Sequence, residues 1–396
     1  MSIKSNFKHT LYASYIGYFV QAIINNFVPL LFLTMQNAFG FSYRQISLLI
    51  MVNFTVQLFI DLLSAGFVDK IGYRKSIVGA HFLAALGLCC LGVLPFRMSN
   101  PYAGVLISIF IYAVGSGLIE VIISPLVEAC PTENKSGSMS LLHSFYCWGQ
   151  MSVVLLSTVF FSFFGTENWR ILSFLWAVVP LFNTFYLSAV PMPALLNDYK
   201  GIGIKSLLKK RTFWVLGGIM LCAGASEIAM SQWASAFAES GLGVSKTVGD
   251  LLGPCLFAFL MGTARVLYAK FSTKISLKTV MTVSSLLCIA SYLLCSLSSN
   301  PILSLVGCGL CGLSVGVIWP GTFSLSTAQI PDGGTAMFAL LALFGDLGCS
   351  TGPAAVGFVT SIFSDTLRYG ILFAVLFPLL LTVLLRAVKE EKKSKP

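Results

Sequence analysis

The sequence predicts an all-α membrane protein, with twelve transmembrane helices in two six-helix bundles, and three observations predict it. Hydrophobic residues make up 56% of the 396 residues and charged residues only 10%, too apolar for a water-soluble globule and with no separate polar domain. The apolar residues fall into about a dozen runs, most of them long enough to cross a bilayer, which takes ~20 residues as a helix. The longest polar interruption, 191–211, divides those runs six and six.

In chain order, the first predicted span is 10–35. It runs past Asn26 towards Met35 with no small-residue cleavage site, so it is a span and not a signal peptide. The second, 44–68, carries Asn53, Gln57 and Asp61 at every fourth residue, a polar stripe on one helical face. Tyr18, Gln21 and Asn25 have similar spacing in the first. The third is 76–95. The fourth, 102–127, carries Ser116, Glu120 and Ser124 on one face; the fifth, 138–164, carries His143, Trp148 and Gln150; the sixth is 168–190. Residues 1–190 thus form the N-terminal bundle. The cytoplasmic linker 191–211 is centred on the turn-forming Asn197-Asp198-Tyr199-Lys200-Gly201. The C-terminal bundle with its short basic tail, 212–396, holds spans 212–238, 247–271, 277–298, 301–325, 336–362 and 366–388. Pro29, Pro125, Pro254, Pro320 and Pro353 lie inside spans, where bends are expected. Gly345, Gly348, Gly352 and Gly357 give the eleventh span small-residue surfaces for close helix contact.

The formal charge is +10. Basic residues fall on alternate loops and both tails instead of forming a stripe with interleaved aromatics, which excludes nucleic acid as a partner and places both termini in the cytoplasm. The intervening loops hold only Arg44, Arg97, Arg170, Lys246 and Arg368. The expected location is a bacterial cytoplasmic membrane, the expected state a functional monomer. The eleven cysteines read as packing residues. Cys308 and Cys311 have C-x-x-C spacing, but the sequence offers no second pair and no nearby histidine, so no metal is expected. No G-x-x-x-x-G-K-[S/T] loop is present, so a gradient and not ATP is the expected energy source and no cofactor is expected. His9, His81 and His143 are far apart, and no H-E-x-x-H helix occurs, so the chain is not read as an enzyme.

Asp69-Lys70-Ile71-Gly72-Tyr73-Arg74-Lys75 follows the second span. It resembles the Gly-x-x-x-Asp-Arg/Lys-x-Gly-Arg-Arg/Lys loop between the second and third helices of the major facilitator superfamily. Ala65 stands at the leading glycine position and Tyr73 at the first arginine. The resemblance covers the whole chain and implies two bundles, a midplane substrate site and alternating access, with Asp61, Asp69, Gly72 and Arg74 in a cytoplasmic gating loop. A narrower likeness lies in Gly117-Leu118-Ile119-Glu120, Ser124-Pro125, Leu142-His143-Ser144-Phe145 and Trp148-Gly149, with Glu227 before Trp233 and Arg265 in the eighth span. These are similar to the fucose permease branch. Ser124 replaces an Asn of that branch, and Asn25-Asn26-Phe27-Val28-Pro29 lacks its first-helix aspartate.

Intramembrane carboxylates are expensive and usually functional. Glu120, Glu227 and Asp346 are therefore the candidate proton-coupling groups. The candidate substrate-binding residues are Gln21, Asn25, Asn26, Gln57, His143, Trp148, Gln150, Trp233, Arg265 and Trp319: amides for hydroxyls, indoles for a ring face, Arg265 as counter-ion. The expected function is secondary active transport, a proton-coupled symport of a small monosaccharide or polyol. The alternatives are Na⁺ in place of the proton, and proton-coupled export of organic cations or drugs.

Overall fold

The computed structural model describes residues 3, 5–131, 135–193, 204–271 and 276–388, with backbone alone at a few helical positions that include Asp69 and Lys70. Among the described residues every regular element is a helix. Twelve are long and apolar enough to cross a bilayer: α1 Phe7–Phe39, α2 Tyr43–Ser64 (its helix continuing to Ile71), α3 Tyr73–Arg97, α4 Pro101–Val127, α5 Leu141–Phe164, α6 Thr166–Ala189, α7 Arg211–Gly241, α8 Lys246–Tyr268, α9 Leu277–Leu297, α10 Pro301–Gln329, α11 Met337–Ile362 and α12 Leu367–Ala387. The centre of the expected linker lies outside the described residues; Ile204–Leu208 at its end is a short helix.

Polar residues at the span boundaries begin these helices by accepting from otherwise unpaired first-turn N–H groups. Ser42 and Gln45 form a reciprocal capping box at α2. Asn100 caps α4 and Asn300 caps α10, each with proline at the first helical position, where no donor is lost. Inside the spans, proline breaks the regular hydrogen-bond ladder. Accordingly α1 passes through a 3₁₀ turn at Val28–Leu31 around Pro29, and α8 through a π turn at Leu251–Cys255 around Pro254.

The chain divides into two compact units, Met1–Asn197 with Ser245–Leu251, and Asp198–Val244 with Leu252–Pro396. In unit 1, α1 packs on α4 and α5, α2 on α4, and α3 on α4 and α6. Unit 2 repeats the scheme: α7 packs on α10 and α11, α8 on α10, and α9 on α10 and α12.

The α3–α6 and α9–α12 pairs are clipped at both ends by a cation on helix-terminal carbonyls. Arg170 Nε donates to Gly92 O at 2.6 Å, and Arg368 donates to Ser298 O. At the opposite ends, Arg74 Nη1 donates to Ser188 O at 2.8 Å and Lys278 Nζ to Val388 O at 2.6 Å. Cations suit these positions because a helix C-terminus carries unpaired carbonyls and partial negative charge.

Candidate functional site

The polar stripes of α1, α2 and α4 meet inside unit 1. Asn25, Asn53 and Gln57 are buried, and Ser116 is fully so. Asn25 Oδ1 accepts from Asn53 Nδ2 at 3.0 Å and from Gln57 Nε2 at 3.1 Å. Ser116 donates to Gln57 Oε1 at 2.9 Å. Glu120, one turn beyond Ser116 and half-buried, accepts from Gln21 Nε2 at 2.7 Å. A carboxylate oxygen of Asp61 lies within 4.8 Å of one of Glu120. Asp61, which the sequence assigns to the gating loop, thus stands beside the main candidate acid. Tyr18 OH and Ser124 Oγ, 2.9 Å apart, continue this polar face, and the exposed His143 meets the Tyr18 ring edge-on at 5.4 Å.

Asn26 is buried and donates to Ala22 O of its own helix at 2.9 Å. Gln150 is buried and Trp148 half-buried on α5. Gly72 joins α2 to α3 with φ 92°, a left-handed value that favours glycine. Arg74 clips α3 to α6 as described, and the Asp69 side chain lies outside the described residues. His81, read only as an isolated histidine, is fully buried: Nδ1 faces Ile77 O at 2.9 Å and Nε2 faces Asn183 Nδ2 at 2.9 Å. A carbonyl oxygen accepts, so Nδ1 carries the proton and Nε2 accepts from the amide.

In unit 2, Glu227 and Asp346 are both buried. The Arg265 guanidinium is near enough to act on Glu227 by charge, and its Nε donates to Gly316 O at 3.2 Å. Trp233 is fully buried, with Nε1 donating to Pro353 O at 2.9 Å, so its indole is a core strut. Trp319 lies against Gly345 and Gly224, where any Cβ would crowd its ring. Cys308 and Cys311 do have cysteine neighbours in space: Cys288 Sγ on α9 is 4.0 Å from Cys311 Sγ. Sequence spacing misses this pair because it is made across two helices.

Asn53 and Ser116, which the sequence places on the polar faces but not among the candidate substrate-binding residues, tie the amides together. Their signal was the every-fourth-residue spacing with Gln57 and Glu120.

Comparisons with known proteins agree on the architecture. The family model described as Major Facilitator Superfamily matches residues 14–353 and 252–396. Among curated proteins none matches significantly. Among solved structures, a bacterial homolog of the human lysosomal transporter Spinster, inward-facing and unoccupied, is similar with TM-score 0.78 and 15% identity, covering 98% of this chain and 99% of that one. The E. coli fucose:proton symporter FucP is similar with TM-score 0.67 and 17% identity, covering 96% and 99%. At such identities the likeness carries the fold.

Proposed function

The chain belongs to the major facilitator superfamily, and from that membership we propose that it is a secondary active transporter that symports a small polar solute, a monosaccharide or polyol, with protons by alternating access. The observation that carries the reading is the Glu120–Asp61 carboxylate pair, with Gln21 donating to Glu120. Two like charges within 4.8 Å repel, and strongly so away from bulk water. A proton taken up by either acid removes the repulsion. The Gln21 amide suits both conditions, since its N–H₂ donates to a carboxylate and its carbonyl accepts from a carboxylic acid. Proton loading therefore rearranges bonds between α1 and α4 without stranding a polar group.

The amides of the same face, Asn25, Asn53 and Gln57, support a hydroxylated solute, and so does the fold likeness to a fucose:proton symporter. Glu227, with Arg265 as counter-charge, and Asp346 are the further coupling candidates in unit 2. Export of organic cations is the less favoured reading. It draws on an aromatic face beside Glu227, and Trp233 is enclosed with its N–H committed to Pro353.

The test uses purified protein in liposomes. With Glu120→Gln, uphill accumulation under an imposed pH gradient is expected to disappear while counterflow exchange persists. Undiminished accumulation would remove Glu120 from the coupling role. Accumulation driven by a Na⁺ gradient and not by a pH gradient would reassign the ion.

A further inference from the structure

The amide network of unit 1 has a fixed polarity, and one of its ends is an acceptor. Amide oxygen and nitrogen are assigned from the bonds around them, and here one bond forces every assignment. The Gln57 amide lies 3.2 Å from the backbone carbonyl oxygen of Asn53, one turn back on α2. A carbonyl oxygen only accepts, so the Gln57 atom facing it is Nε2. That same Nε2 is 3.1 Å from the Asn25 side chain, so the Asn25 atom there is Oδ1. Asn53 reaches the same Oδ1 at 3.0 Å and must do so through Nδ2. Ser116 closes the other end by donating to Gln57 Oε1 at 2.9 Å. The chain cannot be reversed without setting two oxygens against each other.

Asn53 Oδ1 is what remains. It is buried, and no donor among the described residues reaches it. Burying an acceptor without a donor is costly, so its retention calls for a partner that the protein itself does not provide. About two turns further along α2 stands Asp61, close to Glu120, and ionised carboxylates are likewise acceptors only.

We infer that Asn53 is a specificity-determining residue: its Oδ1 accepts a hydrogen bond from a hydroxyl or amine of the carried solute and selects against anionic solutes that present acceptors. This rests on the reading that the polar face of unit 1 contacts that solute. A site built to hydrogen-bond a hydroxyl rejects an analogue lacking it far more strongly than an apolar pocket does.

The experiment is uptake into liposomes of the full chain with four labelled probes: L-fucose, glucitol, choline, whose hydroxyl can donate, and gluconate. Singly deoxygenated fucoses serve as competitors, and wild type is compared with Asn53→Leu. Wild type is expected to carry at least one of the first three in preference to gluconate. One deoxy position should weaken competition about tenfold or more, the scale of a lost buried hydrogen bond. In Asn53→Leu that same deoxy position should cost nothing further, and the gluconate-to-fucose uptake ratio should rise. A merely structural Asn53 lowers all probes equally and leaves the deoxy penalty intact, which would overturn the inference while the transport reading stands. Wild-type preference for gluconate would also overturn it. Wild-type uptake of none of the four would overturn the transport reading and the inference together.

Discussion

Gly79 and Gly348 look alike in sequence, each a glycine inside an apolar run, yet substitution at the two acts in opposite directions. A Cβ at Gly79 meets nothing within 4 Å, whereas one at Gly348 collides with the carbonyl oxygen of Leu221. Gly79→Ala is expected to raise the thermal unfolding midpoint, worth about 0.5–1 kcal/mol for an open helical glycine. Gly348→Ala is expected to lower it, since the backbone of α7 must move, at a cost of about 1–3 kcal/mol. Equal shifts in detergent-solubilised protein would contradict the α7–α11 packing. A pH effect belongs to the exposed Lys210–Asp332 pair, 3.0 Å apart. The hydrogen bond from Lys210 holds the Asp332 carboxyl below the ordinary aspartate value. Its contribution is therefore present above that ordinary value and lost as pH falls through the lowered one. Melting wild type and Asp332→Asn across acid pH should show their difference shrinking in that window; a constant difference would exclude the linkage. At this scale the sequence made the site's acids and stripes legible, because periodicity reports which residues share a face. It did not make the amide polarity legible, because that is set by one backbone carbonyl and a neighbouring helix. Nor could it separate Trp233 the core strut from Trp233 the platform, since aromatic spacing carries no burial.

The helices themselves were legible because each is an uninterrupted apolar run, and their ends shifted by only a few residues: α1 reaches Phe39 where hydropathy stops at Met35. The 3₁₀ and π turns inside α1 and α8 were not legible in detail, since proline marks a bend without specifying how the freed carbonyls are satisfied. Charge at helix ends has a similar history. Arg170, Lys246 and Arg368 stand out in sequence as exceptions on a charge-poor side, and each has a partner. Arg170 and Arg368 clip helix ends. Lys246 pairs with the fully buried Asp250 at 3.1 Å, donates to Leu30 O at 2.7 Å and lies 5.6 Å over the Phe161 ring, all within unit 1. Thr158 adds a 3.3 Å bond to the same carboxylate. Removing one partner of a buried pair leaves an uncompensated charge and costs about 3–5 kcal/mol, whereas replacing both with apolar groups is often neutral. Lys246→Met should therefore melt well below wild type, and Lys246→Met with Asp250→Leu should recover most of the loss. A double variant no better than the single one would mean the pair stabilises by more than mutual compensation.

Across the whole molecule the two units repeat one plan: the same packing order, the same carbonyl clips, and Ser-Asn-Pro at both 99–101 and 299–301, where α4 and α10 begin. Overall identity between the halves is weak because the plan constrains only a few positions, and even there chemistry is conserved more than residue, as Arg74 and Lys278 illustrate. That plan has a consequence for orientation. The positive-inside rule predicts cytoplasmic termini from the cation-rich loops. The exceptions on the opposite side weaken it unless they have another reason to exist, and the clips and the Asp250 pair supply that reason for three of them. We therefore predict that an impermeant thiol reagent on intact cells labels Glu167→Cys in the first turn of α6 and Ser299→Cys in the α9–α10 loop. Lys75→Cys and Asp332→Cys should label only after permeabilisation, all measured above the background of the unsubstituted chain. Each pair takes one position from each unit, so a unit that inserted in the opposite sense would show itself as a mixed pattern. Complete inversion would place the basic loops outside and leave the charge distribution of this chain without an explanation.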